Sequence, residues 1–467
     1  MRWGAAAVLF FGAATPLALV VAAQQLVRSS RPEPVPMREV SQPAAVIVTA
    51  APVYDSLAAL RGGERFPQGA ELMLVRDGRP QPLVAGFAAS IDASVSFDGK
   101  TVLFAGKKTV GDPWQIWEME LDGGATRLVL SGPTDLIRPL WMPNHRLVYA
   151  RKGANGFALE TAALDGSAVM KLSYAPGNFI PDDVLADGRI LFESGFPLGA
   201  GTTPEMYLVY ADGSGVESVR CDHPTAERNG RERGRQMANG DIVFTHGSRL
   251  ARFTSPLAEE APIAAPPGAY AGDVAQLPDG RWVMSMRKAG EKHYALAVWK
   301  PGTATLILLA RDAQRDLIEP VLIETRALPH RHPSALHSWT TGNLLALDAR
   351  QSREGRLPAP PALVRVESLD EAGRAIALGT APVEKDGSFF VQAPGDRPLR
   401  FLLLDAAGHP LREEHGWFWM RSGEQRICVG CHTGPERGPE NRVPEVLLRS
   451  TTPADLTSGL AAAGGAH

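Results

Sequence analysis

Two cysteines and a histidine near the end of the chain form the motif with the clearest chemistry, Cys428-Val429-Gly430-Cys431-His432. Two thiols at this spacing can form thioether bonds to the two vinyl groups on one edge of a porphyrin. The histidine that follows then lies under the ring and ligates its iron. The motif therefore predicts covalent attachment of one c-type haem through Cys428 and Cys431, with His432 as the proximal iron ligand.

Other uses of the two cysteines fit the sequence less well. A thioredoxin-like redox pair would need a βαβ context, and the surrounding sequence does not show one. A structural zinc site would need a second pair of ligands. The sequence has no second cysteine pair, because the third cysteine, Cys221, is isolated. We interpret Cys221 as a buried, inert thiol.

The second axial ligand of the iron is predicted to be Met420, which lies eight residues before Cys428 on the strand that leads to the motif. A methionine there would raise the haem potential and suit electron transfer, whereas an open position would permit ligand binding or catalysis. Met420 could instead pack in a core. The alternative ligands are histidines elsewhere in the sequence: His330, His332, His337, His409 and His415.

Aromatic and basic residues surround the motif. Trp417, Phe418 and Trp419 are predicted to line a haem pocket or to fill the core of the domain. Four arginines could pair with the haem propionates or could equally be surface charge: Arg421, Arg426, Arg437 and Arg442.

The motif closes a stretch of short predicted strands. From about Leu344, apolar runs alternate with turn signals roughly every ten residues, which predicts a small β-sandwich over residues 340–450. The predicted strands are 344–348, 363–367, 387–391, 399–404 and 416–420. The tail, residues 451–467, is rich in Ala, Gly and Thr and is predicted to be disordered.

Upstream of the sandwich, turns followed by short apolar strands recur at residues 99, 145, 188, 240 and 280, with separations of 46, 43, 52 and 40 residues. Asp-Gly pairs, which are typical of tight hairpins, also recur, and their aspartates are residues 77, 122, 165 and 212. Pro301-Gly302 takes the same place in the last unit. A period of about 40–50 residues is typical of propeller blades. The prediction is therefore an all-β chain, with a six-bladed propeller over residues 46–325 whose first blade shows only its outer hairpin. These repeats resemble those of TolB-type propellers.

A run of arginines interrupts the repeats at Arg228, Arg231, Arg233 and Arg235. We interpret it as a solvated loop at the entry to the fourth or fifth blade, although it could bind an anion.

A set of residues in the C-terminal part carries a second family resemblance: 382–389, Pro394, 398–401, Leu404-Asp405, Gly408, Gly423-Glu424 and 428–432. These residues resemble the middle domain of the hydrazine synthase alpha-subunit family, in which a propeller precedes a small β domain that ends in a haem motif. The same order extends here over about residues 45–450. The resemblance implies this fold and one haem.

The sequence departs from that family in two respects. Hydrazine synthase carries a further domain with another haem, and this sequence contains one Cys-x-x-Cys-His motif. The family's active haem is thought to use an iron-bound tyrosine just after the motif. Here the residue four positions after His432 is Glu436, and the last tyrosine is Tyr294. The resemblance therefore does not imply hydrazine synthesis.

The first residues read as a targeting segment. Arg2 precedes an apolar stretch from Ala5 to Ala23, which predicts a signal peptide over residues 1–23 or, alternatively, an uncleaved membrane anchor. Residues 24–45 contain several prolines and are predicted to be a linker. Both interpretations place the remainder of the chain in the periplasm or otherwise outside the cytoplasm, where c-type haem is attached.

Composition narrows the range of partners. The formal net charge of −3 argues against nucleic acid, which would require a strongly basic face. The leading hypothesis is an exported monohaem protein that carries electrons or catalyses a redox reaction of unknown substrate, with the propeller as a docking platform for a redox partner protein. The sequence does not decide whether it is an oxidoreductase. The alternative is a propeller binding or scaffold protein in which the haem is structural.

Overall fold

The computed structural model describes residues 45–195, 205–219, 230–255, 258–351, 356–414, 416–429 and 440–458. The predicted signal or anchor segment and nearly all of the predicted linker therefore lie outside the described residues, as do Cys221, Arg228, His415, Cys431, His432 and Arg437. Within the described ranges, no helix is both long and apolar enough to cross a membrane.

Six four-stranded antiparallel sheets form the first part of the chain. Blade 1 takes its first strands from β1 (Val46–Ala51), β2 (Glu71–Arg76) and β3 (Arg79–Pro82), with a short 3₁₀ turn at Ala59–Arg61 between β1 and β2. Blade 2 comprises β4 (Ala89–Val95), β5 (Thr101–Lys107), β6 (Gln115–Glu120) and β7 (Thr126–Leu130). Blade 3 comprises β8 (Leu136–Met142), β9 (Arg146–Gly153), β10 (Gly156–Ala163) and β11 (Met170–Lys171).

The remaining blades repeat this pattern. Blade 4 comprises β12 (Asn178–Val184), β13 (Ile190–Gly195), β14 (Glu205–Val209) and β15 (Glu217–Ser218). Blade 5 comprises β16 (Arg231–Gln236), β17 (Ile242–His246), β18 (Arg249–Phe253) and β19 (Ala261–Pro262). Blade 6 comprises β20 (Ala269–Gln276), β21 (Trp282–Arg287), β22 (Ala295–Trp299) and β23 (Leu306–Ala310).

The ring closes through a strand from its far end. Strand β24 (Asp316–Leu322) returns to blade 1 and pairs with β1, so that Val46 lies opposite Leu322. The innermost strands contact one another in succession, and β20 contacts β24. The prediction of an all-β chain with six blades is confirmed. The outer hairpin seen in the sequence for blade 1 is β2–β3.

The predicted turns form as expected. Gly188 has φ 86°, a conformation that side-chain-bearing residues rarely adopt. At the second turn Asn144 and His145 have φ 61° and 53°, as a type I′ turn requires at both central positions.

Two sheets form the C-terminal part of the chain, and their strands are β25 (Thr341–Ala346), β26 (Leu363–Leu369), β27 (Ala375–Pro382), β28 (Phe389–Pro394), β29 (Arg397–Leu404), β30 (Pro410–Glu413), β31 (Phe418–Met420), β32 (Gln425–Cys428) and β33 (Ala454–Asp455). A short helix, α1 (Glu445–Arg449), precedes β33. One sheet has the order β32-β25-β28-β33 and the other β27-β26-β29-β30, with β31 also paired to β29. Leu344 and Val391 of the first sheet share a core with Val364 and Leu403 of the second, so the two sheets pack as a sandwich.

The connection from β24 to β25 follows the propeller surface. The Arg326 amide donates to the Phe97 carbonyl at 2.8 Å, and the His330 amide donates to the Ala186 carbonyl at 2.8 Å. Further along, the Ser334 hydroxyl donates to Asp212 at 2.6 Å. The connection therefore contacts the turns of blades 2 and 4 on its way to the sandwich.

Candidate functional site

Cys428 is held at the end of an edge strand. Strand β32 pairs in parallel with β25, so that Cys428 lies opposite Ala346, and its carbonyl accepts a hydrogen bond from the Leu347 amide at 2.8 Å. The side chain is half-buried and packs against the sandwich core. Regular strand pairing thus fixes the first thiol position of the motif, while Cys431 and His432 lie outside the described residues.

The turn before β32 explains the Gly423-Glu424 pair. Gly423 has φ 83°, and a Cβ atom there would lie 1.8 Å from the His337 carbonyl oxygen, so only glycine fits. The Glu424 carboxylate accepts from the Arg421 amide at 2.8 Å and from the Gly215 amide at 3.1 Å. This glutamate therefore closes the turn and ties it to blade 4.

Trp419 anchors the same segment in the propeller. Its side chain is buried among residues of blades 3 and 4, including Leu159 and Phe192. The indole Nε1 donates to the Gly213 carbonyl at 2.9 Å, and the ring meets Phe179 edge-to-face with centroids 5.7 Å apart. The sequence predicts that Trp419 lines a haem pocket or fills the sandwich core. The structure places it instead in the core between blades 3 and 4.

The described arginines around the motif already have protein partners. Arg421 Nε bonds Asp396 at 2.6 Å, and Arg426 donates to the Val216 carbonyl. Arg442 pairs with Asp386. Burial acts to raise the pKa of Asp386, but hydrogen bonds from the Glu445 amide, Ser388 and Arg442 lower it to about 2. These arginines hold the fold together, and their pairing with propionates stays a prediction.

Met420 lies in the sandwich core, with none of its surface exposed. A Cβ atom on Gly342 would lie 3.1 Å from the Met420 Cβ, which places Met420 beside the start of β25. Cys428 pairs with Ala346, four residues further along β25, a separation of roughly 13 Å at the rise of an extended strand. This position favours the packing alternative for Met420, and its ligation of iron stays a prediction.

The alternative histidine ligands are distributed over the connection and one hairpin. His332 meets the Tyr210 ring edge-on at 4.8 Å, and His337 stacks on Trp339 at 4.8 Å. The His337 amide bonds the Gly423 carbonyl, so His337 lies beside the same turn as Met420. His409 is exposed and contacts Asp405 at 3.2 Å. Among the described residues, no group of three or more Cys, His, Asp or Glu side chains could hold a metal ion.

Apolar side chains are exposed on both sides of Cys428. Ile427 is 68% exposed and Val429 is 38% exposed. Val443 and Leu448 are also exposed, on the segment whose Glu445 amide bonds Asp386 at 2.8 Å. Because side chains alternate along a strand, the exposed Ile427 and the Cys428 thiol lie on opposite faces of β32, so this apolar surface lies next to the motif.

The arginine run was interpreted wrongly as a solvated loop. Arg231, Arg233 and Arg235 lie in β16, the inner strand of blade 5, and Arg231 and Arg233 are each 1% exposed. Charges are tolerated there because acidic residues of other blades surround them. Arg235, for example, bonds Asp273 at 3.0 Å.

Each inner strand places one charged residue at the centre of the ring. A β-bulge in each of the six inner strands leaves this residue out of regular pairing, and each is at most 3% exposed: Asp92, Arg138, Asp182, Arg233, Asp273 and Glu319. Sequence reasoning missed this ring. In four blades, however, the charged residue precedes the turn position by seven residues, a spacing that could have revealed it.

Arg138 lies at the centre of these charges. Its guanidinium lies 3.3 Å from Asp273, 3.7 Å from Asp182, 3.8 Å from Asp92 and 3.9 Å from Glu319. These carboxylates come from four other blades, so the side chain spans the central channel. Arg65, from the loop after the 3₁₀ turn, bonds Asp92 at 2.5 Å and Glu319 at 2.6 Å.

The balance of charges sets the ionisation of the ring. Burial acts to raise the pKa of Asp92, but Arg65 and Arg138 hold it below its ordinary value. Burial and the neighbouring Glu193 raise the pKa of Asp182. Burial and Glu193 also raise the pKa of Glu232, which lies beside Arg233, to about 8. The centre of the ring therefore contains carboxylates held ionised by arginines, such as Asp92, beside carboxyl groups whose pKa is raised, Asp182 and Glu232.

Fold and site together define a six-bladed β-propeller protein whose C-terminal β-sandwich carries a cysteine at the end of an edge strand. Residues 357–433 match the family described as "Hydrazine synthase alpha subunit middle domain". The resemblance seen in the sequence is thus confirmed. The matched segment includes the whole cysteine motif.

One solved structure shares the fold over most of this chain. Hydrazine synthase of Kuenenia stuttgartiensis superposes with a TM-score of 0.73 at 16% identity, covering 87% of this chain and 71% of that chain. TolB from Acinetobacter baumannii matches with a TM-score of 0.44 at 15% identity, covering 59% and 66% of the two chains. No curated protein sequence matches this chain. At this identity the first likeness shows a shared fold.

Proposed function

We propose that the protein is an exported monohaem c-type protein that acts in electron transfer or in a redox reaction, with the propeller as a docking platform for a redox partner protein. The observation that carries the proposal is the Cys428-x-x-Cys431-His432 motif, whose first cysteine is the last residue of the edge strand β32. A haem-binding role accounts for this residue pattern better than a redox pair or a zinc site does.

The surroundings of Cys428 support the proposal. Ile427 and Val429 are exposed on either side of the cysteine, and a porphyrin attached at Cys428 would cover apolar surface that otherwise contacts water. The turn at Gly423 and the buried Trp419 fix the strand against blade 4. The haem would therefore be held in a defined orientation to the propeller.

The residues that would hold the haem are few. Cys428 and Cys431 would form the thioether bonds and His432 would ligate the iron, with Met420 as the predicted second ligand. When bound, the group supplies one-electron redox chemistry. The pairing of β32 with β25 would fix the attachment point at Cys428. Haem c is attached outside the cytoplasm, which agrees with the predicted signal peptide or membrane anchor in residues 1–23.

A haem-stained denaturing gel tests the attachment. The full chain, expressed with a c-type cytochrome maturation system, should stain for haem, and the double variant Cys428→Ala/Cys431→Ala should not. Cys221→Ala is the matched control and should stain like the wild type. An unstained wild-type protein, or staining that survives in the double variant, would reject the proposal.

A redox titration with and without carbon monoxide separates the two roles considered. A carrier or enzyme should show reversible reduction of the iron, whereas an iron that neither cycles nor binds carbon monoxide would favour the scaffold with a structural haem.

Met420→Leu conserves core volume and removes the sulfur. Loss of a methionine–iron charge-transfer band in this variant would support Met420 as the second ligand, and an unchanged spectrum would reject it.

A further inference from the structure

A cleft of about 1020 Å³ lies where the sandwich meets blade 3 and the start of blade 4. Its propeller wall consists of residues 153–158, Lys171 and residues 174–177. Its sandwich wall consists of residues 369–373, Ala375, residues 396–398, Arg400 and Trp417. Clefts of about this volume at domain interfaces commonly bind small molecules. None of the described lining residues belongs to β32, so the cleft is separate from Cys428.

Two cationic side chains of the cleft have no acidic partner within ion-pair distance among the described residues: Lys171 and Arg397. Arg397 Nη2 donates to the Leu369 carbonyl at 2.7 Å, but its Nε is buried and has no hydrogen-bond acceptor. The guanidinium lines the cleft without a carboxylate beside it, so its charge is available to an anionic ligand. Lys171 is exposed, with its ammonium 5.3 Å from the Tyr174 ring centroid.

The acidic side chains of the cleft do not neutralise these two cations. Asp396 bonds Arg421 at 2.6 Å, and Asp370 bonds Arg374 at 2.8 Å. Glu371 is exposed at the tip of the β26–β27 turn. Among the described residues, two cations without an acidic partner therefore stand against one such carboxylate, Glu371, which leaves an excess of one positive charge in the cleft.

A flat aromatic surface lies beside this charge. The Trp417 ring lines the cleft, and the Arg400 guanidinium lies 4.8 Å from its centroid. Arg400 is itself held by Glu367 at 2.6 Å and by Glu413. A guanidinium fixed over the indole limits the movement of the ring and leaves it suited to stacking.

We propose that this cleft binds a small organic anion with a planar unsaturated body. The carboxylate or other anionic group accepts hydrogen bonds from Arg397 and Lys171, because these donors lack protein acceptors of opposite charge. The planar body stacks on Trp417. The proposal does not rest on haem attachment, since the cleft and β32 share no described residue.

Isothermal titration calorimetry of the full chain with 2-naphthoate tests the site, and 2-naphthylmethanol serves as the neutral counterpart. The anion should bind and the alcohol should bind at least about tenfold more weakly, because the alcohol lacks the charge that the two cations would bind. Arg397→Gln and Trp417→Leu should each weaken naphthoate binding by about tenfold or more. Lys171→Gln changes an exposed residue and should also weaken it without affecting folding.

Lys288→Gln is the matched control, since Lys288 is an exposed lysine outside the cleft, and it should bind naphthoate like the wild type. The proposal is overturned if naphthoate does not bind in the millimolar range, if the alcohol binds equally well, or if Lys171→Gln binds like the Lys288→Gln control.

Discussion

Truncation of Trp419 should weaken the attachment of the sandwich to the propeller. The indole is 1% exposed and is the largest side chain that the sandwich inserts between blades 3 and 4. Its Nε1 also satisfies the Gly213 carbonyl. Both the packing and the hydrogen bond are lost in Trp419→Ala.

The magnitude follows from these two contributions. Removal of a buried tryptophan side chain costs about 3–5 kcal/mol, because a cavity remains where the ring was. An unsatisfied buried carbonyl costs about 1–3 kcal/mol. Trp419→Phe keeps most of the packing and loses the donor, so its cost should fall near the second range. The order of stability should therefore be wild type, Trp419→Phe and Trp419→Ala.

Urea unfolding followed by circular dichroism measures the loss, and limited proteolysis of the connection between β24 and β25 reports the detachment. The connection should be cleaved faster in Trp419→Ala than in the wild type. Trp339→Ala removes a half-exposed tryptophan of that connection and should change the free energy of unfolding by no more than about 0.5 kcal/mol. A cost below about 1 kcal/mol for Trp419→Ala would refute the anchoring argument.

Other perturbations address the ring centre and the turns. Arg65→Met should cost about 3–5 kcal/mol in urea unfolding, because the buried carboxylates of Asp92 and Glu319 each lose their nearest basic partner. Arg61→Met removes an exposed pair and should cost less than about 1 kcal/mol. Equal costs would contradict the role of the buried pairs. Gly423→Ala should be more destabilising than Gly408→Ala in thermal unfolding. The two glycines have nearly the same φ, 83° and 84°, so the backbone strain is matched, but only at Gly423 would the new Cβ atom meet a backbone oxygen. The pKa of Asp386 lies below its ordinary value. The ionised carboxylate therefore stabilises the fold fully above that ordinary pKa, and this stabilisation is lost as pH falls through about 2. Asp386→Asn should reduce the loss of stability between about pH 4 and pH 2 in urea titrations, and an unchanged pH profile would contradict this prediction.

The propeller could be predicted from the sequence because its turns are local. Asn144 and His145, or Gly188, need only their own neighbours to define a turn, and the spacing of such turns gave the blade count. The closure of blade 1 could not be predicted in the same way. Strand β24 pairs with β1 across about 270 residues of chain, and no local pattern marks such a pairing.

The charged centre of the ring could not be predicted from the sequence, because its ion pairs also join distant parts of the chain. Three arginines within five residues resemble a solvated segment, since buried charges are rare without partners. The partners of Arg233 and Arg235 include Asp182, Asp273 and Glu319, which lie in blades 4, 6 and 1. The sequence alone does not show that these side chains meet. At the candidate haem site, by contrast, the motif itself identified Cys428, while the burial of Met420 depends on packing between two sheets.

The pairing of β1 with β24 also imposes an order on the folding of the protein. The ring cannot close before Leu322 has been added, because the inner strand of blade 1 is made last. Blades 3 and 4 are complete by Ser218, about 200 residues before Trp419 is added. The surface that receives Trp419 can therefore form before the sandwich does, and the strand carrying Cys428 follows a propeller that already has all its strands.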